Sequence, residues 1–573
     1  MDYPRPQLVR QDWKNLNGKW AYSFDSSLTA TGLSWQSSIT VPYPPESELS
    51  GVNDQAYHPV IWYKREFDVP GDWQGKRILL HFGAVDYQAQ VWLNDKLVAT
   101  HVGGHTPFQA DVSSELKEGN NVLVVRAADD PLDLAKPRGK QEWQEKPHAI
   151  WYPRTTGIWQ TVWLEPVAET YISKLRLTPC FDDFSFDCRF DLSQAAENLS
   201  LELRFSLKGK TLAQDSCTLT GARLERTISL GVTGFDDLRN YVWSPENPNL
   251  IDVSLKLLQN GQVIDEVQSY TAMRRIETRQ GKVYLNHHPY YLRLALDQGY
   301  WDESLLAAPS SEALKKDVEL AKAMGFNGVR KHQKIEDPRF LYWADQLGLL
   351  VWEEMPSAYI FTSDTVERIS REWLEVIDRD YNHPCIVAWV CFNESWGVPN
   401  LVHDARQRDF VAGLYHLTKS LDTSRLVIGN DGWEHVVTDL LTIHDYHRKP
   451  ETLLERYGTA EGLAQIASRL VEHGRISILN EGRVNDEPII LSEFGGIRFS
   501  GEAEGWGYQQ VESAEALLEL YGQMINALSG ANLAGFCYTQ FADTFQEQNG
   551  LLYSDRRPKV ALDELAKATL GRR

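Results

Sequence analysis

Short apolar runs separated by turn residues fill the first part of the chain, up to about residue 167. Examples are the segments 61–67, 78–82, 89–93 and 121–126. Helical periodicity is scarce between them, and the breaks at 94–95 and 118–120 are typical of hairpin turns. The pattern predicts an all-β sandwich of jelly-roll type over residues 1–167.

A second β-rich segment follows over residues 168–276. Apolar and polar positions alternate along it, as they do in 201–207. Its length is close to that of a single immunoglobulin-like sandwich, roughly 100 residues. The pattern predicts an immunoglobulin-like β-sandwich, and without further signals such a domain is most simply a spacer.

The rhythm changes after residue 277, where apolar strands alternate with helical stretches. The predicted strands are 290–295, 328–330, 349–352, 386–392, 426–428, 441–444, 489–492 and 535–539. Predicted helices include 312–324, 338–347, 366–381, 402–421, 514–528 and 561–570. This number of strands predicts a (β/α)8 TIM barrel over residues 277–573. The first strand is not followed by a Gly-rich dinucleotide fingerprint, which disfavours a Rossmann fold.

Composition narrows the class of partner. The chain has 573 residues and a formal net charge of -21, which argues against nucleic acid and against an anionic membrane. Its 6 cysteines show no metal-ligand spacing and are interpreted as reduced structural thiols. The first residues lack an apolar segment of signal-peptide type, and no run is long enough to span a bilayer. The expected location is therefore cytoplasmic.

Candidate chemistry lies at the carboxyl ends of the barrel strands, where the loops converge over one mouth. The fourth strand ends in Asn393-Glu394, and the seventh ends in Glu493. These two strands lie nearly opposite each other across an eight-stranded barrel. Paired carboxylates at such a site are the minimal equipment for glycoside hydrolysis. The other polar strand ends are Asp297, Arg330 to His332, Glu353, Glu354, Asn430, Asp431, His444, Asp445 and Gln540.

The two glutamates need different protonation states to act at one pH. Arg330 is expected beside Glu493, where its charge keeps that carboxylate ionised. Glu394 has an aromatic neighbour in Trp396, which suits a raised pKa and the acid/base role. Asn393 is expected to donate a hydrogen bond to a sugar hydroxyl. A lone strand-end glutamate is usually a solvated charge, but a pair on strands of the right order favours catalysis.

Further substrate-binding candidates surround these residues. Aromatic side chains at the mouth can stack on sugar faces, and histidines can bind hydroxyls, although a lone histidine is more often structural. The positions 330–334 are interpreted as an inward arginine and histidine with the lysines facing solvent. The remaining candidates are Asp297, Lys331, His332, Trp433, His444, Tyr446 and Gln540, with Trp301 and Trp506 as further mouth aromatics. Catalysis by two carboxylates needs no metal or cofactor, and none is predicted.

Several motifs together resemble glycoside hydrolase family 2, which includes β-galactosidases, β-glucuronidases and β-mannosidases. They are Asn-Glu-Ser-Trp at 393–396, Ser-Glu-Phe-Gly-Gly at 492–496, Tyr-Thr-Gln-Phe-Ala-Asp at 538–543, Trp-Leu-Asn at 92–94 and Trp-Ser-Pro-Glu at 243–246. The resemblance covers nearly the whole chain. It implies a jelly roll, an immunoglobulin-like domain and a catalytic barrel, with retention of anomeric configuration. It also implies that Glu394 is the acid/base, that Glu493 is the nucleophile and that Asn393 and Arg330 support them.

Departures from the family pattern bear on the sugar. Family β-glucuronidases carry an Asn-x-Lys element that holds the sugar carboxylate, whereas this chain has Asn549-Gly550-Leu551. The lysines near Arg330 offer another route to a carboxylate. A retaining, exo-acting β-galactosidase is the leading hypothesis, by analogy with similar sequences. A uronidase (β-glucuronidase or β-galacturonidase), an arabinosidase and a β-mannosidase are the alternatives.

Two hypotheses come from outside this class. A catalytically inactive carbohydrate-binding protein is disfavoured, because such a protein has no need to keep two carboxylates that repel each other. A metal-dependent hydrolase would need more histidines at the strand ends than His332 and His444. A carbohydrate is therefore the expected partner, and barrels flanked by two sandwiches often form homo-oligomers.

Overall fold

The protein is described by a computed structural model that covers residues 2–30, 32–233, 236–466, 474–479, 486–499, 505–529 and 532–571. It contains two β-sandwiches and a parallel eight-stranded barrel, the architecture that the sequence predicts. The domain boundaries after residues 167 and 276 stay predictions. None of the helices in these ranges is long and apolar enough to cross a membrane.

The N-terminal sandwich consists of short antiparallel strands. They are β1 Lys14–Asn15, β2 Gly18–Phe24, β3 Gln36–Val41, β4 Val60–Phe67, β5 Arg77–Phe82, β6 Val85–Asp86, β7 Gln88–Leu93, β8 Lys96–Val102, β9 Phe108–Asp111, β10 Asn121–Ala128, β11 Gly157–Ile158 and β12 Val162–Val167. The main sheets have the orders β3-β2-β4-β10-β7-β8 and β1-β12-β5-β9. Alternating residues of β10 point into the core: Leu123, Val125 and Ala127 are buried.

Only one of the two predicted hairpin turns is a hairpin. Asn94 and Asp95 both have positive φ angles, 50° and 71°, and they join the paired strands β7 and β8. Such angles are typical of the tight turns that match strand twist. The prediction for 118–120 was wrong, because β9 pairs with β5 whereas β10 pairs with β4 and β7.

The second sandwich has seven strands in two antiparallel sheets, as in an immunoglobulin-like domain. Its strands are β13 Ile172–Cys180, β14 Ser185–Leu192, β15 Leu199–Leu207, β16 Lys210–Leu219, β17 Arg223–Ser229, β18 Ile251–Gln259 and β19 Gln262–Thr271. The sheets have the orders β13-β14-β17 and β16-β15-β18-β19. A small sheet of β20 Ile276–Arg279, β21 Lys282–Leu285 and β22 His288–Pro289 leads into the barrel. All six cysteines of the chain are unpaired.

The barrel consists of eight parallel strands in one sheet, which alternate along the chain with helices. Its strands are β23 Leu292–Asp297, β24 Gly328–Lys331, β25 Leu350–Glu354, β26 Ile386–Val390, β27 Leu426–Ile428, β28 Leu441–His444, β29 Ile489–Gly495 and β32 Gly535–Thr539, and the short pair β30 Ile497–Arg498 and β31 Gln509–Gln510 lies outside it. The helices are α1 Ser311–Ala323, α2 Pro338–Leu347, α3 Ser363–Asp380, α4 Ala405–Leu421, α5 Pro450–Tyr457, α6 Ala460–Ala464, α7 Ala514–Ser529 and α8 Leu562–Thr569. Strand order is β27-β26-β25-β24-β23-β32-β29-β28. Because all are parallel, their carboxyl ends share one edge, as the sequence predicts.

A long loop of the N-terminal sandwich, residues 129–156 between β10 and β11, lies against that edge. We call it the mouth loop. The backbone N–H groups of Arg138 and Gly139 donate to Ser357 O at 3.1 and 3.0 Å. On the other side, Gln546 Nε2 donates to Trp151 O at 2.9 Å. The mouth loop is therefore fixed to barrel loops on both sides.

A buried acidic residue of the barrel faces the same sandwich. Glu372 in α3 is 1% exposed and accepts a hydrogen bond from His105 N at 2.8 Å. Burial raises the pKa of Glu372 to about 8; the hydrogen bond from His105 opposes the rise, and the Asp86 carboxylate adds to it. The folded protein thus keeps a proton that the unfolded chain releases near pH 4.5. The contribution of Glu372 to the free energy of unfolding therefore falls as pH rises from 4.5 to about 8.

Glu372→Gln is expected to flatten this loss of stability, because the amide stays neutral at every pH. Thermal unfolding at about pH 5.5 and about pH 8.5 measures it. Between these two pH values, the unfolding temperature of the parent should fall further than that of Glu372→Gln, by roughly 2 °C or more. Glu367→Gln, on the exposed side of the same helix, is the matched control. Equal decreases in the parent and in Glu372→Gln would contradict the assignment.

Candidate active site

The two predicted catalytic glutamates meet at the carboxyl edge of the barrel. Glu394 follows β26 in a turn with a φ angle of 50°, and its backbone N–H donates to Asp431 O at 2.9 Å. Glu493 lies on β29 and is 6% exposed. One carboxylate oxygen of each glutamate lies within 4.8 Å of the other and of a His444 ring nitrogen. The expected face-to-face arrangement of the two strand ends is confirmed.

Arg330 ties four strand ends together. Its side chain is fully buried, and Nη1 donates to Glu493 Oε1 at 3.0 Å, so the predicted placement beside Glu493 is confirmed. Nε donates to Glu354 Oε2 at 2.6 Å, and Nη2 donates to Asn393 Oδ1 at 2.7 Å. Burial alone would lower the pKa of Arg330, but Asp431, Glu354 and Glu493 raise it well above the usual value. Arg330 is therefore a permanent positive charge.

His444 is the second cation. Its Nδ1 lies 2.7 Å from Glu394 Oε1, and its Nε2 lies 2.7 Å from Asp431 Oδ2 and 3.4 Å from Glu493 Oε1. Burial would lower the pKa of His444, but the surrounding carboxylates, led by Glu493 and Asp431, raise it to about 10. Both ring nitrogens therefore donate hydrogen bonds at neutral pH, and His444 links the two glutamates.

Asp431, which the sequence places at a strand end but not among the substrate-binding candidates, completes this network. Its Oδ2 lies 2.7 Å from both Arg330 Nη1 and His444 Nε2. Burial would raise the pKa of Asp431, but the charges of Arg330 and His444 hold it well below its usual range. Asp431 thus stays ionised and orients both cations.

Tyr446 and Asn393 present hydrogen-bond donors. Tyr446 Oη donates to Glu493 Oε2 at 2.6 Å, and the ring stacks on Tyr508 with centroids 3.5 Å apart. Burial and the Glu493 carboxylate raise the pKa of Tyr446 well above its usual value, so the hydroxyl keeps its proton. The amide nitrogen of Asn393 is buried and has no hydrogen-bond partner among the described residues. Arg330 fixes the amide oxygen, so this nitrogen is free to donate to a ligand.

His332 and the mouth tryptophans form the outer part of the site. His332 Nδ1 lies 3.0 Å from Glu354 Oε1. Burial, with the charges of Lys140 and Arg330, lowers the pKa of His332 well below its usual value, so the ring is neutral. Trp396 is half-buried and stacks on Trp151 of the mouth loop, with centroids 5.7 Å apart. Trp433 is 9% exposed, and the Arg475 guanidinium lies 5.2 Å from its ring centroid.

The interpretation of the lysines that follow Arg330 was wrong. Lys331 is 1% exposed and Lys334 is fully buried. Lys331 Nζ lies 2.8 Å from Asp297 Oδ2 and 2.7 Å from Glu336 Oε2, and Lys334 Nζ lies 2.9 Å from Glu336 Oε1. Solvent exposure is the default for lysine because burial of an unpaired charge is unfavourable, but these counter-ions remove that penalty. The arrangement favours a structural role for Asp297 and Lys331 over contact with sugar.

The side chains of three other candidates already contact protein groups. Gln540 is fully buried, donates to Asn549 Oδ1 at 2.7 Å and accepts from Gln298 Nε2 at 3.0 Å. Trp301 is 7% exposed and lies between the cations of Arg556 and Lys334, 4.9 and 5.0 Å from its centroid. Trp506 Nε1 donates to Ala149 O at 2.8 Å. Each has a structural explanation without a ligand.

The carboxylate pair also offers metal-ligand geometry. Glu394, His444 and Glu493 each provide an atom within 4.8 Å of the others. A metal would have to displace the proton of His444, whose pKa is about 10, and would meet the Arg330 cation beside Glu493. The charges in the site thus favour a carboxylate pair balanced by protein cations over a metal centre.

Family models match three successive segments of the chain. The model described as "Glycosyl hydrolases family 2, sugar binding domain" matches residues 13–132. The model "Glycosyl hydrolases family 2" matches residues 170–274, and the model "Glycosyl hydrolases family 2, TIM barrel domain" matches residues 276–571. The last match alone covers more than half of the chain.

Individual relatives are more distant. A relative from Formosa agariphila is 27% identical over 425 residues, which are 72% of this chain and 50% of that protein; the chain thus spans half the length of that relative. A β-galactosidase from Thermoanaerobacter pseudethanolicus is 25% identical over 589 residues, 94% of this chain and 74% of that protein. The solved structure of a β-glucuronidase from Ruminococcus gnavus with D-glucuronic acid has a similar fold, with a TM-score of 0.79 at 18% identity over 99% of this chain and 100% of that chain. With the match of the barrel model, these findings show that this protein belongs to glycosyl hydrolase family 2.

Proposed function

We propose that this protein is a retaining, exo-acting glycoside hydrolase that works by double displacement. The observation that carries the proposal is the closeness of the two carboxylates, whose oxygens approach within 4.8 Å. Retaining enzymes hold their carboxyl groups about 5–5.5 Å apart, whereas inverting enzymes leave roughly 6.5–9.5 Å for a water molecule. An approach within 4.8 Å by one oxygen of each carboxylate favours the retaining arrangement over the inverting one.

The surroundings of each glutamate support different roles. Glu493 receives hydrogen bonds from Arg330 on one oxygen and from Tyr446 on the other, and these donors stabilise the negative charge that a nucleophile carries. Glu394 has a side chain 16% exposed, more open to the mouth than Glu493, as a residue that exchanges protons with leaving group and water must be. We assign Glu493 as nucleophile and Glu394 as acid/base.

The reaction then proceeds in two steps. Glu493 attacks the anomeric carbon while Glu394 protonates the departing oxygen, which gives a covalent glycosyl-enzyme. Glu394, now a base, takes a proton from water. The water oxygen attacks the anomeric carbon from the face that the leaving group left, and the bond to Glu493 breaks. The free amide N–H of Asn393 donates to a hydroxyl beside the reacting carbon, where hydrogen bonds strengthen in the transition state.

The identity of the sugar that is cleaved is the more specific part of the proposal. A β-galactoside is the first substrate to test, since the Thermoanaerobacter pseudethanolicus relative is named a β-galactosidase. A uronide is the second candidate, favoured by a specific observation: Lys140 of the mouth loop brings a positive charge to the mouth of the site, 4.8 Å from the ring centroid of Trp396.

A panel of 4-nitrophenyl glycosides tests the class and the sugar together. It comprises the β-galactoside, β-glucuronide, β-galacturonide, β-mannoside and the α- and β-arabinosides. Hydrolysis of at least one of these is expected in the parent and in Glu367→Gln, a surface control on α3. Loss of that activity is expected in Glu394→Gln and Glu493→Gln. Absence of hydrolysis from the whole panel, or full activity in both variants, would refute the proposal.

A further inference from the structure

A buried lysine of the N-terminal sandwich faces the catalytic site without a counter-ion. Lys140 is 6% exposed, and its ammonium lies 4.8 Å from the ring centroid of Trp396, two residues beyond Glu394. It forms no ion pair with any residue that the structure describes. Lysine is almost never buried unless it is paired, and an unpaired buried charge is costly. The position therefore needs an anion that the described protein does not supply.

Neighbouring carboxylates do not fill this need. The buried carboxylate of Glu547 has its own donors: Tyr152 Oη donates to its Oε2 at 2.5 Å, and Asn549 Nδ2 donates to its Oε1 at 3.2 Å. Burial raises the pKa of Glu547, and the Lys140 charge opposes this rise without forming an ion pair. Glu354 and Glu493 are both taken by Arg330. Within the part of the chain that the structure describes, Lys140 is thus a cation at the mouth without a carboxylate in ion-pair contact.

The backbone around Lys140 is fixed against the barrel. Gly139 has a φ angle of +63°, and a Cβ placed there would lie 2.2 Å from Gln333 O, so only glycine allows this approach. The Tyr359 hydroxyl donates to Gly139 O, and Tyr152 N donates to Lys140 O at 2.9 Å. Inside the mouth loop, the Arg138 guanidinium donates to Glu142 O at 2.9 Å. The backbone that carries Lys140 is therefore held in place before any ligand arrives.

Lys140 also lies on the side of the site that carries His332. The Lys140 charge acts on His332, which in turn is close enough to Arg330 and Glu493 to respond to both charges. Trp396 provides a flat apolar face beneath the ammonium. A sugar that reached Glu493 would pass this face, so a negative group on the glycoside can pair with Lys140 while the ring stacks on tryptophan.

We propose that Lys140, supplied by the N-terminal sandwich, determines specificity for glycosides that carry a carboxylate. This inference rests on the proposed function and deepens it by naming a residue outside the barrel that selects an acidic substrate. The carboxylate belongs either to the reacting sugar, as in a uronide, or to the leaving group. In both cases the chemistry is an ammonium-carboxylate pair in a site shielded from water.

The test measures pairs of glycoside substrates of similar shape, one charged and one neutral. Each pair is assayed with the parent, with Lys140→Met and with Lys140→Arg. The substrates are 4-nitrophenyl β-glucuronide with the β-glucoside, 4-nitrophenyl β-galacturonide with the β-galactoside, and 4-carboxyphenyl with phenyl β-galactoside. Lys140→Met is expected to reduce kcat/KM on the charged substrate of each pair by about 10- to 100-fold. Its kcat/KM on the neutral substrate should change by less than about threefold. Lys140→Arg, which keeps the positive charge, should remain partly active on the charged substrate. Lys146→Met, an exposed lysine of the same loop, is the matched control.

The position of the selective loss identifies the source of the carboxylate: a loss on uronides assigns it to the reacting sugar, and a loss on the carboxyphenyl glycoside assigns it to the leaving group. Equal losses on charged and neutral members, or a parent that hydrolyses only neutral glycosides, would overturn the inference while leaving the proposed function intact.

A binding measurement separates this inference from catalysis. Calorimetry with D-glucuronate and D-galacturonate, against D-glucose and D-galactose, uses the folded parent and Lys140→Met, with thermal unfolding as a check on folding. Preferential binding of a uronate that Lys140→Met loses would support the inference even if no glycoside were cleaved. Equal binding of acidic and neutral sugars, together with no preference for a carboxylate on the leaving group, would overturn it.

Discussion

Glu493→Ala is expected to lower kcat/KM on the best substrate of the panel by at least about four orders of magnitude. The carboxylate that would form the bond to the anomeric carbon is gone, and no other described carboxylate is placed to replace it: Asp431 and Glu354 are held by Arg330. Arg330 and Tyr446 would also lose their shared acceptor. Steady-state kinetics on the purified variant measure the loss.

Azide distinguishes a missing nucleophile from a damaged site. In Glu493→Ala the removed side chain leaves room for a small anion between Arg330 and Tyr446, so azide should restore turnover and give a glycosyl azide of inverted configuration. Glu493→Gln keeps the volume of the side chain and should not be rescued. A product azide of retained configuration from Glu493→Ala would assign the nucleophile elsewhere.

Glu394→Ala is expected to have an effect that depends on the leaving group. A phenol of ordinary acidity needs a proton to depart, so the loss there should be about 10²- to 10⁴-fold. A dinitrophenolate departs without help, so formation of the glycosyl-enzyme should remain fast and the second step should limit turnover. Pre-steady-state measurement of dinitrophenol release should therefore show a burst in the variant.

Added azide should speed the second step of Glu394→Ala and give a glycosyl azide of retained configuration, because azide needs no general base. Glu367→Gln on the surface of α3 should behave as the parent does. A loss of the same size for weak and strong leaving groups would show that Glu394 is not the proton donor. His444, which lies 2.7 Å from Glu394, would then be the residue to test.

Much of this site could be predicted from the sequence, because in a barrel the site residues lie at strand ends, and strand ends can be recognised from the local sequence pattern. Each proposed catalytic glutamate follows an apolar run of a strand, and parallel strands bring their carboxyl ends to one edge. The contact of Arg330 with Glu493 followed from the same rule. Asp431 and Glu354 were also strand-end residues, but only the structure shows that they share Arg330 and that Asp431 also orients His444.

Other features depend on contacts between distant segments. Lys331 is buried because Asp297, at the end of another strand, and Glu336 neutralise it. The mouth loop belongs to a different domain, so no periodicity in the barrel reveals that Lys140 and Trp151 reach Trp396. The 118–120 turn was misjudged because a local turn signal does not reveal which strands pair. The sequence pattern thus located the two glutamates to which we assign catalysis, whereas the positions of their counter-ions required the fold.

Covalent trapping tests the central claim, double displacement through Glu493, most directly. A 2-deoxy-2-fluoro glycoside of the preferred sugar, with a dinitrophenyl leaving group, slows both steps and lets the intermediate accumulate. Mass spectrometry of the digested protein should then find a single fluoroglycosyl group on the peptide that contains Glu493, and Glu493→Gln should not be labelled. A label on another residue, or turnover to a product of inverted configuration without any label, would contradict the account.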